Sequence, residues 1–238
     1  MKKDVVILAA GLGSRMGGLT VTRPKCVLPI NRKTIIVRLI EQLKANEKID
    51  RIIIVVGYLS NVLRDSLFEF DELIFVENKE FKTTNNMWSF CLTQPFHNTE
   101  NGLITINADC VYEDELIMSI GDSIANQVYA HSSLYDDEAM KVMVEDEYAQ
   151  GLSKEFLESA NVFSCIDLYE FNPATKNIIY EELNFWCQTK SKNDWFEKGI
   201  NDCIVHQKII MEVTGFSNNW VEIDTEKDYI EAKKVFNK

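Results

Sequence analysis

The stretch DVVILAAGLGSRMGGLTVTRPK, residues 4–25, decides the fold of this chain of 238 residues. Its first part, residues 4–9, is a short apolar run, which is typical of a strand buried on both faces of a sheet. A glycine-rich turn follows at once, and glycine lets the backbone turn tightly and bring its N–H groups close to an anion. The stretch therefore predicts an α/β fold with an anion-binding turn after its first strand.

The same alternation of strand and helix continues through the first half of the chain. The predicted elements there are, in order, a helix at 33–45, a strand at 51–56, a helix at 59–68, a strand at 73–76, a helix at 86–92 and a strand at 103–107. Apolar runs separated by helices are typical of βαβ units, so this half predicts a parallel sheet.

The pattern changes after about Asp109, where strands follow one another without long helices between them. The elements predicted there are a helix at 113–120, strands at 127–132, 140–144 and 162–167, helices at 173–186 and 194–205, a strand at 208–213 and a helix at 226–236. We expect the strands at 127–132, 140–144 and 162–167 to be antiparallel and to extend the sheet. Because no linker or internal repeat is present, the fold class predicted is a single-domain, Rossmann-like α/β protein with a mixed, mainly parallel central sheet flanked by helices.

Composition excludes several classes of protein. Lys and Arg total 25 against 37 Asp and Glu, and a net charge of −12 would repel a phosphate backbone, so we expect no nucleic-acid partner. The apolar run that ends at Ala10 is too short for a signal peptide or a membrane span, so we expect no membrane association and a cytoplasmic location. The six cysteines contain no CxxC pair, which favours reduced thiols over disulfides or a zinc site.

Two common phosphate-binding motifs do not fit the opening turn. A dinucleotide fingerprint requires a third glycine where this chain has Met16, and the GK[ST] triplet of a P-loop is absent. The turn instead carries Arg15 and, behind Pro24, Lys25. An Arg fork binds phosphate oxygens, and a Lys ammonium stabilises charge that develops during group transfer. These cations indicate a phosphate site, with a solvated loop as the alternative.

The segment resembles the signature of nucleotidyltransferases that join an NTP to a sugar phosphate or a small phosphorylated alcohol. That signature has a glycine pair, an Arg and, about ten residues later, Pro-Lys; its counterparts here are Gly11, Gly13, Arg15, Pro24 and Lys25. The resemblance implies a GT-A-like nucleotidyltransferase fold, Arg15 and Lys25 as catalytic residues, and no covalent enzyme intermediate.

A triphosphate substrate normally comes with Mg²⁺, which prefers carboxylate, phosphate and water oxygens. Asp109 follows a predicted buried strand, and Asp224 follows a short strand near the C-terminus, in VEIDTEKDY. Each could instead be a turn former or a helix cap. The family resemblance continues at both places and implies that Asp109 and Asp224 hold Mg²⁺ together. Glu222 lies two residues before Asp224, on the same face of an extended strand, and is a candidate auxiliary ligand.

Two further segments, VVGYLS (residues 55–60) and ENKEFKTTNNMWSFCL (residues 77–92), resemble the small bacterial cytidylyltransferase branch, typified by choline-phosphate cytidylyltransferases. Amide groups at a helix start could contact a base edge, or could simply cap the helix. The nucleotide-binding residues that the resemblance implies are Leu8, Ala9, Ala10, Gly11, Gly13, Gly57, Tyr58, Asn86 and Ser89.

The resemblance divides the chain into a nucleotide-binding part (1–111), an acceptor-binding part (112–216) and a part with the second metal ligand and the last helix (217–238). Aromatic faces beside carboxylates in the middle part suit an ammonium group. The residues considered there are Tyr129, Phe163, Phe185, Trp186, Trp195, Phe196, Glu158, Asp167, Glu181, Glu182, Asp194 and Asp202.

The expected reaction transfers CMP from CTP to a small phosphorylated or phosphonylated acceptor, with Mg²⁺, and gives a CDP-linked product and pyrophosphate. The alternatives are a transferase that makes a UDP- or dTDP-sugar from a sugar 1-phosphate, and a regulator that binds a nucleotide without turning it over. A homodimer is open, since sequence alone shows no surface patch.

Overall fold

The computed structural model describes residues 1–131, 135–217 and 220–236. The strands are β1 (Lys3–Ala9), β2 (Pro29–Ile30), β3 (Lys33–Thr34), β4 (Ile49–Val56), β5 (Leu73–Glu77), β6 (Gly102–Asn107), β7 (Cys110–Tyr112), β8 (Gln127–His131), β9 (Lys141–Glu145), β10 (Tyr148–Ser153), β11 (Val162–Phe171), β12 (Glu212–Phe216) and β13 (Trp220–Glu222). The helices are α1 (Ile35–Ala45), α2 (Ser60–Ser66), α3 (Asn86–Cys91), α4 (Asp114–Ser119), α5 (Pro173–Thr189), α6 (Phe196–Val205) and α7 (Glu226–Val235).

A nine-stranded sheet organises the fold, in the order β5-β4-β1-β6-β11-β8-β12-β10-β9. The first four of these strands are parallel, with Val6 of β1 opposite Ile53 of β4 and Thr105 of β6. β10 and β11 are antiparallel to the other strands of the sheet. The predicted mixed, mainly parallel sheet is confirmed.

The second half departs from the sequence prediction at the start of β12 and at β10. β12, for which the sequence predicted no direction, pairs parallel with β8. β12 also begins at Glu212 and not at residue 208, since the Lys208 N–H still bonds the Cys203 carbonyl at the end of α6. β10 was not predicted, and the predicted extension of β8 to Ser132 lies outside the described residues.

Apolar layers cover both faces of the parallel strands, which is why β1 reads as a continuous apolar run. Val6 and Leu8 point to the layer that contains α3, α5 and α6, while Val5 and Ile7 point to the layer of α1, α2 and α4. The predicted helix at 33–45 begins only at Ile35, since Lys33–Thr34 form β3 and Thr34 caps the helix by accepting the Val37 N–H.

A third, smaller core joins the C-terminal segment to the opening turn. It contains Met16 of the turn, Leu28, Ile223 and Tyr229 of α7. Thr225 caps α7 in a capping box with Asp228, which fixes the start of the helix directly after Asp224. This packing brings the last tenth of the sequence against the first.

Gly57 directly follows β4 and lies where the end of this strand meets the glycine-rich turn. A Cβ at this position would lie 2.8 Å from the Ala10 carbonyl oxygen and 2.8 Å from Phe81 Cβ. Gly57→Ala is therefore expected to lower the free energy of unfolding by about 1–3 kcal/mol through overpacking.

Urea denaturation followed by circular dichroism measures this effect, with Gly18→Ala as the matched control because nothing lies within 4 Å of a Cβ at Gly18. The control is expected to change the free energy by no more than about 0.5 kcal/mol. Equal stability of the Gly57→Ala and wild-type proteins would contradict the close approach at this position.

Candidate active site

A cavity of about 420 Å³ opens at the carboxyl ends of β1 and β6. The opening turn forms one wall, the start of α3 forms a second, and Asp109, Glu222 and Asp224 lie at its base. Trp195 and Glu197, at the start of α6, also line it. In open α/β sheets, ligands bind at this edge, so the cavity lies where the sequence places a nucleotide.

Lys25 lies between the two predicted metal ligands. Its Nζ is 2.6 Å from Asp109 Oδ2 and 2.8 Å from Asp224 Oδ1, and Arg15 Nη2 is 2.7 Å from Asp224 Oδ2. Burial disfavours the charged ammonium, but Asp109 and Asp224 outweigh burial and hold the pKa of Lys25 well above its ordinary value. The structure thus brings together all four residues that the sequence selected for catalysis and metal binding.

The convergence of Asp109 and Asp224 results from two strands of three residues each. β7 follows Asp109, β13 precedes Asp224, and the two pair antiparallel with Val111 opposite Val221. The Ile223 N–H also donates to the Asp109 carbonyl at 3.0 Å. The two carboxylates therefore lie side by side although they are remote in sequence.

The carboxylate group fits a divalent cation. Oxygen atoms of Asp109, Glu222 and Asp224 all lie within 4.8 Å of one another, and hard oxygen ligands are those that Mg²⁺ prefers. Asp109 Oδ1 is buried without a hydrogen-bond partner. The neighbouring charge of Asp167, together with burial and Asp109, raises the pKa of Glu222 to about 10, so Glu222 is protonated near neutral pH in the absence of a cation and would lose this proton when it binds one.

The glycine-rich turn packs directly on Lys25. Gly13 has a positive φ of 60°, and a Cβ there would lie 3.3 Å from the Cβ of Lys25. The Thr20 hydroxyl donates to the Gly13 carbonyl at 3.0 Å and closes the turn. Glycine at this position therefore serves both the left-handed backbone and the close approach.

The predicted nucleotide-binding residues fall into two groups. The lining of the cavity includes Leu8, Ala9, Ala10, Gly11, Gly13, Asn86 and Ser89. Gly57 and Tyr58 are absent from this lining. The Tyr58 hydroxyl donates instead to the Thr20 carbonyl at 3.0 Å, and the backbone N–H of Tyr58 donates to the Ala10 carbonyl at 3.2 Å. These two residues lie behind the turn and hold it in place.

Ser89 presents a hydrogen-bond donor to the cavity. Its Oγ accepts a hydrogen bond from Asn78 Nδ2 at 3.0 Å, and Asn78 Oδ1 in turn accepts the Glu80 N–H at 2.9 Å. The serine hydroxyl hydrogen is left to donate to a ligand. Sequence reasoning missed Asn78 and Phe81, which also line the cavity.

Asn86 connects the two sides of the cavity. Its Oδ1 accepts the Phe196 N–H at the start of α6 at 2.9 Å, and its side chain also hydrogen-bonds Glu197. Asn85 acts as the cap of α3 by accepting the Asn86 N–H at 2.8 Å. Both interpretations of the Asn pair thus have a counterpart here: both asparagines line the cavity, and Asn85 also caps the helix.

Two further buried acids, Asp167 and Glu197, line the cavity. Glu197 is 3% exposed, and its Oε2 is buried without a hydrogen-bond partner. Burial and the nearby Asp167 raise the pKa of Glu197 to about 8, and burial followed by Asp109 raises the pKa of Asp167 to about 6. Asp167 has a left-handed backbone (φ 56°) where the pairing of β11 with β8 shifts register.

Trp195 and Lys154 also line the cavity, with the Lys154 Nζ 4.8 Å from the centre of the Trp195 ring. Asp167 and Trp195 were predicted for the acceptor pocket, whereas Glu197 and Lys154 were missed. The DWFEKG segment offered one signal, since it places an acid two residues after Trp195. The other predicted residues do not line the cavity: Tyr129, Phe163, Phe185, Trp186, Phe196, Glu158, Glu181, Glu182, Asp194 and Asp202.

Comparison with known proteins adds a family match and related enzymes. A profile of the MobA-like NTP transferase domain matches residues 5–154. CTP:phosphoglutamine cytidylyltransferase of Campylobacter jejuni is 30% identical over 184 residues, covering 76% of this chain and 68% of that protein. 2-Aminoethylphosphonate cytidylyltransferase of Lancefieldella rimae is 35% identical over 117 residues, covering 49% of this chain and 46% of that protein. The chain thus matches less than half the length of the second relative.

The fold also matches a solved structure along its whole length. The CTP:phosphocholine cytidylyltransferase of Streptococcus pneumoniae superposes with a TM-score of 0.82 at 23% identity, covering 99% of this chain and 100% of that one. This likeness confirms the predicted nucleotidyltransferase fold. Among the described residues, no helix combines the length and apolar character needed to cross a membrane.

Proposed function

This chain belongs to the MobA-like NTP transferase domain family, and on that premise we propose that it transfers a cytidylyl group from CTP to a small phosphorylated or phosphonylated acceptor. The observation that carries the proposal is the convergence of Lys25 and Arg15 with Asp109 and Asp224 in one cavity. The cytidylyltransferases named above support CTP as the donor. A cytoplasmic location and a homodimer stay predictions.

The reaction needs positioning and charge stabilisation more than covalent chemistry. An anionic oxygen of the acceptor attacks the α-phosphorus of CTP and forms the new P–O bond. The bond from the α-phosphorus to the bridging oxygen breaks in line, and pyrophosphate leaves with the electron pair. Lys25 stabilises the negative charge at the α-phosphate, while Arg15 and the glycine N–H groups hold the departing pyrophosphate. No proton has to be removed from the acceptor, because its phosphate is already ionised near neutral pH.

Asp109 and Asp224 are proposed to hold Mg²⁺, with Glu222 as a third oxygen donor. When bound, the ion neutralises charge on the phosphate oxygens and helps to align the groups. The buried, unpartnered Asp109 Oδ1 is the atom of this chain that such an ion would satisfy. Asp228 has a separate task, since its carboxylate accepts the Asp224 and Thr225 N–H groups and holds the segment in place.

The acceptor is proposed to carry an ammonium group. Asp167 and Glu197 offer two buried carboxylates to it, and Trp195 offers an aromatic face. A sugar could donate hydroxyl hydrogens to these acids but would bring no positive charge to balance them, so two buried carboxylates favour a cationic acceptor over a sugar 1-phosphate. The relatives named for phosphoglutamine and 2-aminoethylphosphonate support an amine-bearing acceptor.

An acceptor panel tests this function. The protein is incubated with each NTP, Mg²⁺, inorganic pyrophosphatase and, in separate reactions, phosphocholine, 2-aminoethylphosphonate, inositol phosphate or glucose 1-phosphate. We expect phosphate release with CTP and an ammonium-bearing acceptor. Faster release with UTP or dTTP and glucose 1-phosphate would favour the sugar transferase, and nucleotide binding without any release would favour the regulator.

A further inference from the structure

Two side chains of this protein, Lys25 and Arg15, act as cation partners of the acidic cluster that contains Asp109 and Asp224. The Lys25 ammonium contacts one oxygen of Asp109 and one of Asp224, and the Arg15 guanidinium contacts the second oxygen of Asp224. Both oxygens of Asp224 are thus engaged by side-chain cations. Lys25 is well shielded from water, with only 12% of its side chain exposed, so its ion pairs are weakly screened.

The same carboxylate oxygens are those that a divalent ion would use. The ligand group that fits a metal consists of Asp109, Glu222 and Asp224. A metal ion among these oxygens would stand close to the Lys25 ammonium, and like charges at such distances repel strongly in a partly buried site. Entry of the metal therefore requires that Lys25 move to another anion.

The triphosphate is the anion that can receive both cations. The cavity is lined by Arg15 and Lys25 on one wall and by Asp109 and Asp224 at its base, so a triphosphate bound in it comes within reach of both side chains. Once Lys25 and Arg15 pair with phosphate oxygens, the carboxylates are free for a metal ion. The opposite order would leave the Lys25 ammonium buried beside a divalent cation.

We propose that Lys25 is an internal counterion that occupies the metal position of the free protein, so that the metal ion enters with the triphosphate and not before it. This inference rests on the proposed function, since it assumes the metal that the transfer requires. It gives Lys25 a second task besides stabilising the transferred phosphate. In the free protein, the Lys25 ammonium would then neutralise negative charge of the acidic cluster in place of a metal ion.

Binding of Mn²⁺ without nucleotide tests the inference, with free Mn²⁺ measured by electron paramagnetic resonance. Wild-type protein and Lys25→Arg, which keeps the charge, are expected to bind Mn²⁺ weakly. Lys25→Met is expected to bind Mn²⁺ at least about tenfold more tightly, because one repelling unit charge has been removed. Lys33→Met, an exposed lysine paired with Glu41, is the matched control and should behave as wild type.

Further measurements assign the site and keep the test decisive. The gain should vanish in the double variant Lys25→Met, Asp224→Asn, and CTP should raise the Mn²⁺ affinity of the wild-type protein. Circular dichroism confirms folding of each variant. Tight Mn²⁺ binding by the wild type without CTP, no gain in Lys25→Met, or a gain that survives in the double variant would overturn the inference. If the wild type forms product while Lys25→Met shows no gain, the counterion role alone fails; if the wild type forms no product, the proposed function fails.

Discussion

Lys25→Ala is expected to lower turnover by about 10²–10³-fold, the loss typical of removing one preorganised charge partner of a transition state. Lys25 is the residue closest to both acids, at 2.6 Å from Asp109 and 2.8 Å from Asp224. Charge at the α-phosphate is largest in the transition state, so the loss of Lys25 should lower kcat. CTP affinity should change little, because Arg15 and the turn still hold the outer phosphates.

Steady-state kinetics and equilibrium CTP binding measure the two effects separately. Lys33→Ala removes an exposed lysine and serves as the control. Thermal unfolding of both variants shows whether the fold survives. A near-normal turnover of Lys25→Ala would remove this residue from the mechanism, and a parallel loss of CTP binding would assign it to substrate binding alone.

Glu197→Gln is expected to lower kcat/KM for an ammonium-bearing acceptor by about 10- to 100-fold at pH 8.5, where the carboxyl is ionised, since a charge-assisted hydrogen bond contributes about 1.5–3 kcal/mol. The KM for CTP should change less, because the ammonium group belongs to the acceptor and Glu197 meets the predicted nucleotide-binding residues through a hydrogen bond with Asn86. Glu181→Gln is the matched control, since Glu181 is exposed on α5 and does not line the cavity. Equal acceptor kinetics in the Glu197→Gln variant and the wild type would contradict the ammonium subsite.

The pH profile gives a second test of Glu197. Burial and Asp167 raise the pKa of this carboxyl to about 8, so it is mostly neutral at pH 7 and becomes ionised as the pH rises. An ammonium group prefers the ionised form, and kcat/KM for the acceptor should therefore increase from pH 6.5 to pH 8.5. This increase should be absent in Glu197→Gln, while the same variant retains the pH profile for CTP.

Most of what the sequence predicted correctly depends on local patterns, in which the informative residues are close together in the chain. The turn from Gly11 to Lys25 is continuous in sequence, so its residue types and spacing could be recognised before any fold was known. β1 and β4 were predicted because apolar layers cover both of their faces and leave an uninterrupted apolar run. The fold class followed from these strands and the helices between them.

Other features depend on tertiary contacts that no local pattern records. β7 and β13 are three residues long, too short for periodicity to detect, yet their pairing sets Asp109 beside Asp224. Glu197 is buried and Glu181 is exposed, and this difference arises from the packing of α6 against the sheet. Tyr58 was predicted to contact nucleotide, but its hydroxyl reaches the Thr20 carbonyl behind the turn. Position in the sequence alone does not separate a lining residue from one that supports it.

Transfer of an ¹⁸O label tests the central claim most directly. The acceptor that the panel identifies is labelled with ¹⁸O on its phosphate or phosphonate, mixed with CTP, Mg²⁺ and the protein, and the products are weighed by mass spectrometry. If the acceptor oxygen attacks the α-phosphorus, the CDP-linked product carries all of the label and pyrophosphate carries none. Labelled pyrophosphate, or release of CMP without a joined product, would contradict cytidylyl transfer by this site.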